Sequence, residues 1–392
     1  MNERTTRRKF METSVTAGAA AAFGAPLFAA RKVRPGAPIK VACIGVGGRG
    51  SHLLGHILAI PNVHVVAICD LRPERIKAAQ DRVVKAGQDK PDAITGGPYK
   101  YRELLSDPGI HCCVVATPCY WHSTMYVDLL NARMPFYGEK PLAITAWGVK
   151  RVQEAAKKNP GVCVQIGFQW GSHLARRDIM RRVREEGLIG ELLYGEVQRM
   201  NGWDHHGGWY ADRNKSGDWM LEQAVHEFNL IWMTVGKHPV AAYTEGRAGI
   251  IPGRNTTNYY TTILEYPGNL FIKYTHGWIQ VPGFPGGGMH LYITGLNGAV
   301  DVMGAYAQLR KKPRGGQARI PGRGPGGDTR EHMKNFFDAV RANDPSKIHC
   351  GIENGVAATY IGLVIRQSLE QKRKVTLQEA LRDTRRPPVP PA

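Results

Sequence analysis

The chain has 392 residues, more than one hydrophobic core usually supports, so we expect two domains. Its 43% hydrophobic and 8% aromatic residues are typical of a globular fold and exclude a low-complexity chain. The formal charge of +19 suits an anionic partner, such as a glycan, a membrane surface or nucleic acid, or simply a solvated basic surface. No RNA- or DNA-binding motif accompanies the charge, and we expect no nucleic-acid partner. The seven cysteines show no CxxC spacing, which argues against a disulfide framework and a thiolate metal site.

Residues 1–30 have the parts of a twin-arginine signal peptide. The pair Arg7-Arg8 precedes an uncharged run, rich in Ala and Gly, from Thr13 to Ala30. Ala and Gly contribute little hydrophobicity, so we expect no stable membrane span. The pattern predicts a mature protein that begins near Arg31 and is exported in its folded state to the periplasm or beyond.

Residues 31–160 alternate strand and helix patterns, which predicts a parallel sheet. The apolar run 39–44 leads into Gly45-x-Gly47-x-x-Gly50, and a helical pattern follows from Ser51 to Ile60. A second strand, 63–69, ends at Asp70, 20 residues after Gly50. A strand, a tight glycine turn, a helix N-terminus and a carboxylate at this distance predict a dinucleotide site, with Asp70 on the ribose hydroxyls of NAD. Arg72 leaves NADP possible.

Two further strand ends place polar residues at the carboxyl edge of this sheet, where ligands of open α/β sheets bind. The strand 111–116 ends in Thr117-Pro118, with His122 just beyond, and the strand 135–137 runs into Glu139-Lys140-Pro141. A helix from Ala146 to Lys158 and a strand at 162–166 follow.

In residues 161–380 the alternation of strand and helix patterns gives way to longer strand patterns, which predicts a second, α+β domain. The strands 259–264 and 271–274 flank a Pro267-Gly268-Asn269 turn, which indicates a hairpin in an open-faced, mainly antiparallel sheet. We expect helices at 178–186, 332–343 and 355–371. Residues 310–330 are rich in Gly, Pro and basic side chains and are expected to form an irregular loop. The proline-rich tail, 381–392, is expected to be disordered.

The motif order resembles the glucose–fructose oxidoreductase / inositol dehydrogenase / MocA (Gfo/Idh/MocA) family over nearly the whole mature chain. The resemblance rests on GVGGRG, Asp70, the 115–118 segment with His122, Glu139-Lys140-Pro141, Gly167-Phe168-Gln169 and the segments 187–191, 335–340 and 353–355. It implies a Rossmann domain joined to an open-faced sheet domain, and hydride transfer between a sugar or polyol carbon and nicotinamide. It also implies that the cofactor is bound by Gly45, Gly47, Gly48, Arg49, Gly50, Asp70, Thr117, Pro118, His122, Glu139, Lys140 and Gln169.

The segment 217–229 supplies candidate catalytic residues. Glu222 and His226 are four positions apart, so on one helix they would face the same side, and the carboxylate could orient the imidazole. Such a histidine can take the proton from a hydroxyl as hydride leaves its carbon. The resemblance carries catalytic roles onto Lys140 and His226, but Glu222 and Asn229 stand where the family usually has aspartate.

The polar and aromatic cluster 201–210 suits a sugar ring, which stacks on aromatic side chains and hydrogen-bonds through its hydroxyls. As substrate residues we name Trp170, Trp203, His205, His206 and Asn229. His205, His206, His226 and Glu222 could instead collect a divalent metal. Because adjacent histidines point apart on a strand, we expect no metal.

These residues together predict an exported NAD(P)-dependent oxidoreductase that acts on a sugar, polyol or glycoside hydroxyl and recycles a tightly bound cofactor. The alternative is an NAD-dependent glycosidase that transiently oxidises C3, eliminates and re-adds across the ring. A cofactor-bearing binding protein for anionic glycan is a third, non-enzymatic alternative. We expect a small carbohydrate as ligand and a homo-oligomer as the assembly.

Overall fold

A computed structural model describes residues 31–314 and 316–391, so the predicted signal peptide lies outside the described residues. The first half is a six-stranded sheet whose strands all run parallel, in the order β3-β2-β1-β4-β5-β6. Its strands are β1 (Ile39–Ile44), β2 (Val63–Cys69), β3 (Asp92–Ile94), β4 (Cys112–Val115), β5 (Phe136–Gly138) and β6 (Val164–Ile166). This is the predicted Rossmann sheet, with its order reversing between β1 and β4.

Helices cover both faces of this sheet. They are α1 (Gly48–Leu58), α2 (Pro73–Lys85), α3 (Arg102–Ser106), α4 (His122–Asn131) and α5 (Ala146–Lys158). The helix α1 starts within the glycine motif, three residues earlier than the periodicity predicted. The strands β1, β2 and β4 are short runs of Val, Ile, Ala and Cys that are buried almost throughout, as a sheet covered on both faces requires.

The second half is a nine-stranded, mainly antiparallel sheet in the order β14-β13-β12-β11-β7-β10-β9-β8-β15. Its strands are β7 (Leu192–Asn201), β8 (Ala241–Ala248), β9 (Thr257–Glu265), β10 (Phe271–Trp278), β11 (Gly288–Gly295), β12 (Gly298–Asp301), β13 (Tyr306–Leu309), β14 (Arg319–Pro321) and β15 (Val375–Thr376). Only β7 and β10 pair in parallel, and the predicted β9–β10 hairpin is confirmed. Buried and exposed residues alternate along β9, as expected for a sheet with one covered face.

Seven helices accompany this sheet in the part of the chain that the structure describes. They are α6 (Leu174–Glu185), α7 (Arg213–Ser216), α8 (Trp219–Glu222), α9 (Val225–Val235), α10 (Thr329–Ala342), α11 (Ile352–Gln371) and α12 (Leu377–Ala380). The chain crosses between the halves more than once. Strand β6 lies beyond the predicted boundary at residue 160, and Phe336 and Phe337 of α10 pack into the same core as β1 and β2.

Two expectations for the C-terminal region need correction. Within the basic segment 310–330, the residues of β14 form an edge strand on β13, so this segment is not wholly irregular. The tail lies along the molecule: Arg385 forms ion pairs with Glu370 and Asp383, and the Tyr99 hydroxyl donates to the carbonyl of Pro390 at 2.5 Å. Val389 packs against the main core. These contacts fix a segment that composition alone marked as disordered.

All seven cysteines are buried and free, as the missing CxxC spacing predicted. Among the described residues, no helix is long and apolar enough to cross a membrane.

Candidate functional site

The glycine motif forms a turn that only glycines can make here. Gly45 has φ +81°, and a Cβ on it would lie 2.8 Å from the Ala116 carbonyl oxygen. A Cβ on Gly50 would lie 1.9 Å from the carbonyl oxygen of Gly45, so the helix could not start so close to the strand. The turn therefore brings the N-terminus of α1 to the carboxyl edge of the sheet, where its free N–H groups can receive phosphate.

Asp70 ends β2 beside this turn. Its Oδ2 accepts a hydrogen bond from the Val46 N–H at 2.9 Å, and its Oδ1 accepts one from the Arg72 N–H at 3.0 Å. The carboxylate is thereby held next to the glycine turn, where a ribose diol can bridge its oxygens.

A cavity of about 530 Å³ opens at this edge and is shared by both halves of the chain. It is lined by twelve residues that the sequence predicted: Gly45, Gly47, Gly48, Arg49, Asp70, Thr117, Pro118, Glu139, Lys140, Gln169, Glu222 and His226. Gly50 lies behind the turn and serves packing. The structure thus brings the cofactor motif and the predicted catalytic residues to one place.

An ion pair joins the glycine motif to β5. The Nε of Arg49 lies 2.6 Å from Oε1 of Glu139, and Arg49 also reaches Gln169 at 3.4 Å. Burial opposes the charge of Glu139, but Arg49 and Lys140 outweigh it and hold the pKa of this carboxyl below its usual value.

Lys140 and Glu222 form a second, buried ion pair inside the cavity. The Lys140 Nζ lies 2.7 Å from Oε1 of Glu222 and also donates to the Glu222 carbonyl. Burial alone would lower the pKa of Lys140, but the Glu222 carboxylate raises it above the usual lysine value. Lys140 is therefore a charged hydrogen-bond donor at neutral pH.

His226 lines the same cavity and is held neutral. Burial, and then the positive charges of Lys140 and Arg199, put its pKa well below the usual histidine value. Its ring lies 4.8 Å from that of Trp170 and 6.1 Å from that of Phe168, measured between centroids. Its Nδ1 is buried without a hydrogen-bond partner among the described residues. A neutral imidazole is the form that can accept a proton.

Glu222 and His226 line the same cavity, as predicted, but the continuous helix expected to bring them there is interrupted. Helix α8 ends at Glu222 and helix α9 begins at Val225, so no single helix contains both residues. Glu222 pairs with Lys140 instead of orienting the imidazole. A four-residue spacing implies a shared face only within one uninterrupted helix.

Six other predicted residues lie outside the cavity lining. The buried His122 places Nδ1 2.7 Å from the Pro141 carbonyl oxygen and Nε2 2.9 Å from that of Thr117, so it bridges two loops. Asn229 is buried and accepts from Asn354 at 2.8 Å. Trp203 and His205 are exposed, and His206 bonds to Asp204. Trp170 also lies outside the lining, but it supports His226.

Sequence reasoning did not identify an aromatic and basic part of the wall, which lies beside the predicted Arg72: Arg75, Tyr101, Tyr120, Trp121, Trp209 and Tyr210. Trp209 and Tyr210 belong to the predicted cluster 201–210, and their rings stack at 3.8 Å between centroids. Burial raises the pKa of Tyr210 to about 12. Because all of these residues except Arg75 of α2 lie outside the α-helices and strands, no periodicity could have shown which of them face the cavity. Among the described residues, no group of three His, Cys, Asp or Glu side chains is placed to hold a metal ion.

Two family models match the chain, one in each structural half. Residues 39–168 match an oxidoreductase family with an NAD-binding Rossmann fold, and residues 178–301 match the Gfo/Idh/MocA C-terminal domain. The chain belongs to the Gfo/Idh/MocA family. The glycine turn and Asp70 fit a dinucleotide, so the predicted fold class and an NAD cofactor are confirmed for this Gfo/Idh/MocA protein.

Solved structures show the same fold. A levoglucosan dehydrogenase in complex with NADH superposes with a TM-score of 0.71 at 18% identity, over 87% of this chain and 99% of that one. A probable dehydrogenase from Thermotoga maritima gives a TM-score of 0.68 at 20% identity, over 87% and 100%. At these identities the likeness shows the fold alone.

Two curated relatives are named as glycoside-cleaving proteins. A glycosyl hydrolase family 109 protein of Shewanella woodyi is 29% identical over 210 residues, which is 52% of this chain and 43% of that protein. An alpha-N-acetylgalactosaminidase of Shewanella oneidensis is 28% identical over 211 residues, which is 52% and 44%. The match to this chain therefore spans less than half the length of these relatives.

Proposed function

We propose that the protein transfers hydride between a hydroxyl-bearing carbon of a sugar or glycoside and the nicotinamide of a tightly held NAD. The observation that carries the proposal is the meeting of His226, Lys140 and Glu222 in the cavity that also contains the glycine turn and Asp70. Bound NAD would supply the hydride acceptor. The chain itself must then bind the sugar and handle the hydroxyl proton.

In this proposal neutral His226 accepts the hydroxyl proton as hydride leaves the carbon. Charged Lys140 donates a hydrogen bond to the same oxygen, and Glu222 keeps Lys140 charged and oriented. Lys140 thereby stabilises negative charge that develops on the oxygen. The stacked Trp209 and Tyr210 offer an aromatic surface to the C–H face of the ring.

A second candidate is redox-neutral glycoside cleavage, in which the hydride returns to C3 after elimination and water addition. It is favoured by the curated relatives, which are named as family 109 glycosyl hydrolases or as an alpha-N-acetylgalactosaminidase. Both candidates begin with hydride transfer from a ring carbon, so the same three residues serve either one.

Product analysis separates the two candidates. Purified protein is incubated with a panel of glycosides without added NAD, and the products are identified by mass spectrometry. An oxidised sugar with accumulating NADH supports net oxidation, whereas a free sugar of unchanged oxidation state supports cleavage. The variant His226→Ala should lose about 10²–10⁴-fold in rate, while His64→Ala, at an exposed site on β2, should not. If no member of the panel changes, or if His226→Ala retains full rate, the proposal is wrong.

A further inference from the structure

Asp204 and His206 form a hydrogen-bonded pair in the loop that follows β7. The His206 Nδ1 lies 2.8 Å from Oδ1 of Asp204, and the His206 backbone N–H donates to the same oxygen at 2.8 Å. The Asp204 side chain is fully buried, and its Oδ2 lies 2.5 Å from Nη1 of Arg254. Arg254 compensates a buried charge that would otherwise be costly, so the carboxylate can stay ionised.

This arrangement fixes the histidine and leaves one ring nitrogen free. A carboxylate at Nδ1 holds the proton there, so that Nε2 is the nitrogen that can take up or release a second proton. The ring is held by three aromatic side chains, with centroids 5.3 Å from Tyr210, 5.3 Å from Trp219 and 4.9 Å from Trp278. The side chain of His206 remains 39% exposed, and among the described residues only Asp204 hydrogen-bonds its ring.

The pair adjoins the wall of the cavity through Tyr210. Tyr210 lines the cavity together with Lys140, Glu222 and His226, and His206 packs on the ring of Tyr210. His206 is therefore one side chain away from a ligand that lies against Tyr210. The molecule therefore has a second proton-handling group outside the one that the hydride transfer uses.

We propose that His206, oriented by Asp204, is the acid–base group for the leaving oxygen in glycoside cleavage. The proposal rests on the second candidate function. Hydroxyl oxidation needs one proton-handling group, which His226 supplies, whereas cleavage produces an alkoxide that needs a proton of its own. An oriented histidine with a free Nε2 is what the additional step requires.

Oxidation leaves a ketone at C3 and the hydroxyl proton on His226, and the ketone makes the proton on C2 acidic. That proton passes to water and leaves an enolate. The C1–O bond breaks as the enolate electrons form the C1–C2 double bond, and the leaving oxygen takes the proton from Nε2 of His206. Water then adds to C1 while Nε2 takes one of its protons. C2 takes a proton back from water, and the hydride returns to C3 as His226 returns its proton to the oxygen, so the net reaction is hydrolysis.

The test compares leaving groups that differ in their need for a proton. Rates of leaving-group release in a single turnover, which precedes water addition, are measured for an alkyl and a para-nitrophenyl glycoside of the same sugar, with wild type, His206→Gln and the control His64→Gln. We expect His206→Gln to lose about 10²–10⁴-fold on the alkyl glycoside and little on the nitrophenyl glycoside, whose phenolate leaves without an acid. Added imidazole should restore His206→Ala on the alkyl glycoside only. Bound NAD and the unfolding midpoint, measured on each variant, should match wild type.

Each failure has its own signature. Equal losses on both glycosides, or none on either, with wild-type NAD content, would overturn the role of His206 while glycoside cleavage stands. A wild-type protein that oxidises sugars but cleaves no glycoside would remove the second candidate function and this proposal with it. If His206→Gln unfolds, Asp204→Asn provides the second variant, with a smaller loss expected on the alkyl glycoside alone.

Discussion

At the scale of single residues, the Lys140–Glu222 pair sets the charge on which hydride transfer depends. Burial would lower the pKa of Lys140, and the Glu222 carboxylate 2.7 Å away is the main group that raises it, with Glu139 adding to the effect. The same positive charge helps to keep the pKa of His226 low, so that one member of the site donates while the other accepts. The two protonation states are therefore coupled through Lys140.

The pH profile of kcat/KM should report this coupling. Because the pKa of His226 is lowered, the rate should stay high well below pH 6.5, about where an ordinary histidine gains its proton. Because the pKa of Lys140 is raised, the alkaline limb should lie above the usual lysine value. In Glu222→Gln the largest of the charges that oppose burial is lost, so the alkaline limb should move to lower pH. An unchanged alkaline limb would mean that Lys140 carries no essential charge.

At the scale of elements, Asp218 fixes the start of α8 and hence the place of Glu222. This buried carboxylate accepts hydrogen bonds from the Trp219 N–H at 2.8 Å, from the Thr257 N–H at 2.9 Å and from the Thr257 hydroxyl at 2.7 Å. Asp218 has φ +70°, a value that non-glycine residues seldom adopt. The short helix is thereby attached to β9, and Glu222 is set one turn later.

Removal of this attachment should be costly. We expect Asp218→Ala to lower the free energy of unfolding by about 3 kcal/mol, since three donors lose a buried charged acceptor. Asp212→Ala, which removes a partly exposed cap from the adjacent α7, should cost about 1 kcal/mol. Urea unfolding followed by circular dichroism measures both. If the two variants lose similar free energies of unfolding, Asp218 does not attach α8 to β9 in the way described.

The sequence predicts those elements that are determined by residues close together in the chain. The glycine turn, Asp70 and the β9–β10 hairpin follow from neighbouring residues, and the structure confirms them. The Lys140–Glu222 contact joins residues 82 positions apart in the sequence. No proline directly precedes α9, so the sequence contains no signal for the end of the preceding helix. Without the fold, the spacing of Glu222 and His226 indicated a continuous helix, which was wrong.

At the scale of the whole molecule, the C-terminal tail connects the second half to the nucleotide-binding half. Arg386 lies 5.3 Å from the ring of Trp147, and Pro390 receives the hydrogen bond of Tyr99. Tyr99 is next to Pro98, which lines the cavity. The tail therefore braces a loop of the cofactor site from outside.

Deletion of residues 387–392 should loosen that loop. We expect the free energy of unfolding to fall by about 1–2 kcal/mol, from one partly buried valine and one hydrogen bond, and bound NAD to dissociate faster. Denaturation and the rate of nucleotide release after dilution measure the two effects. The variant Tyr99→Phe, which keeps the tail but not its hydrogen bond, is the matched control and should show a smaller change. If the deletion variant releases nucleotide at the wild-type rate, the tail contributes to the stability of the fold but not to NAD binding.

The buried cysteines of the parallel sheet can serve as chemical probes of its local unfolding. Cys43 lies on β1, Cys69 on β2, and Cys112 and Cys113 on β4. Burial raises the pKa of Cys43 and Cys69 to about 12, and thiols in that state react slowly with alkylating reagents. A reagent in the solvent can label each cysteine only during the moments when its strand opens. The order in which these thiols become labelled would give the sequence in which the nucleotide-binding half comes apart, strand by strand.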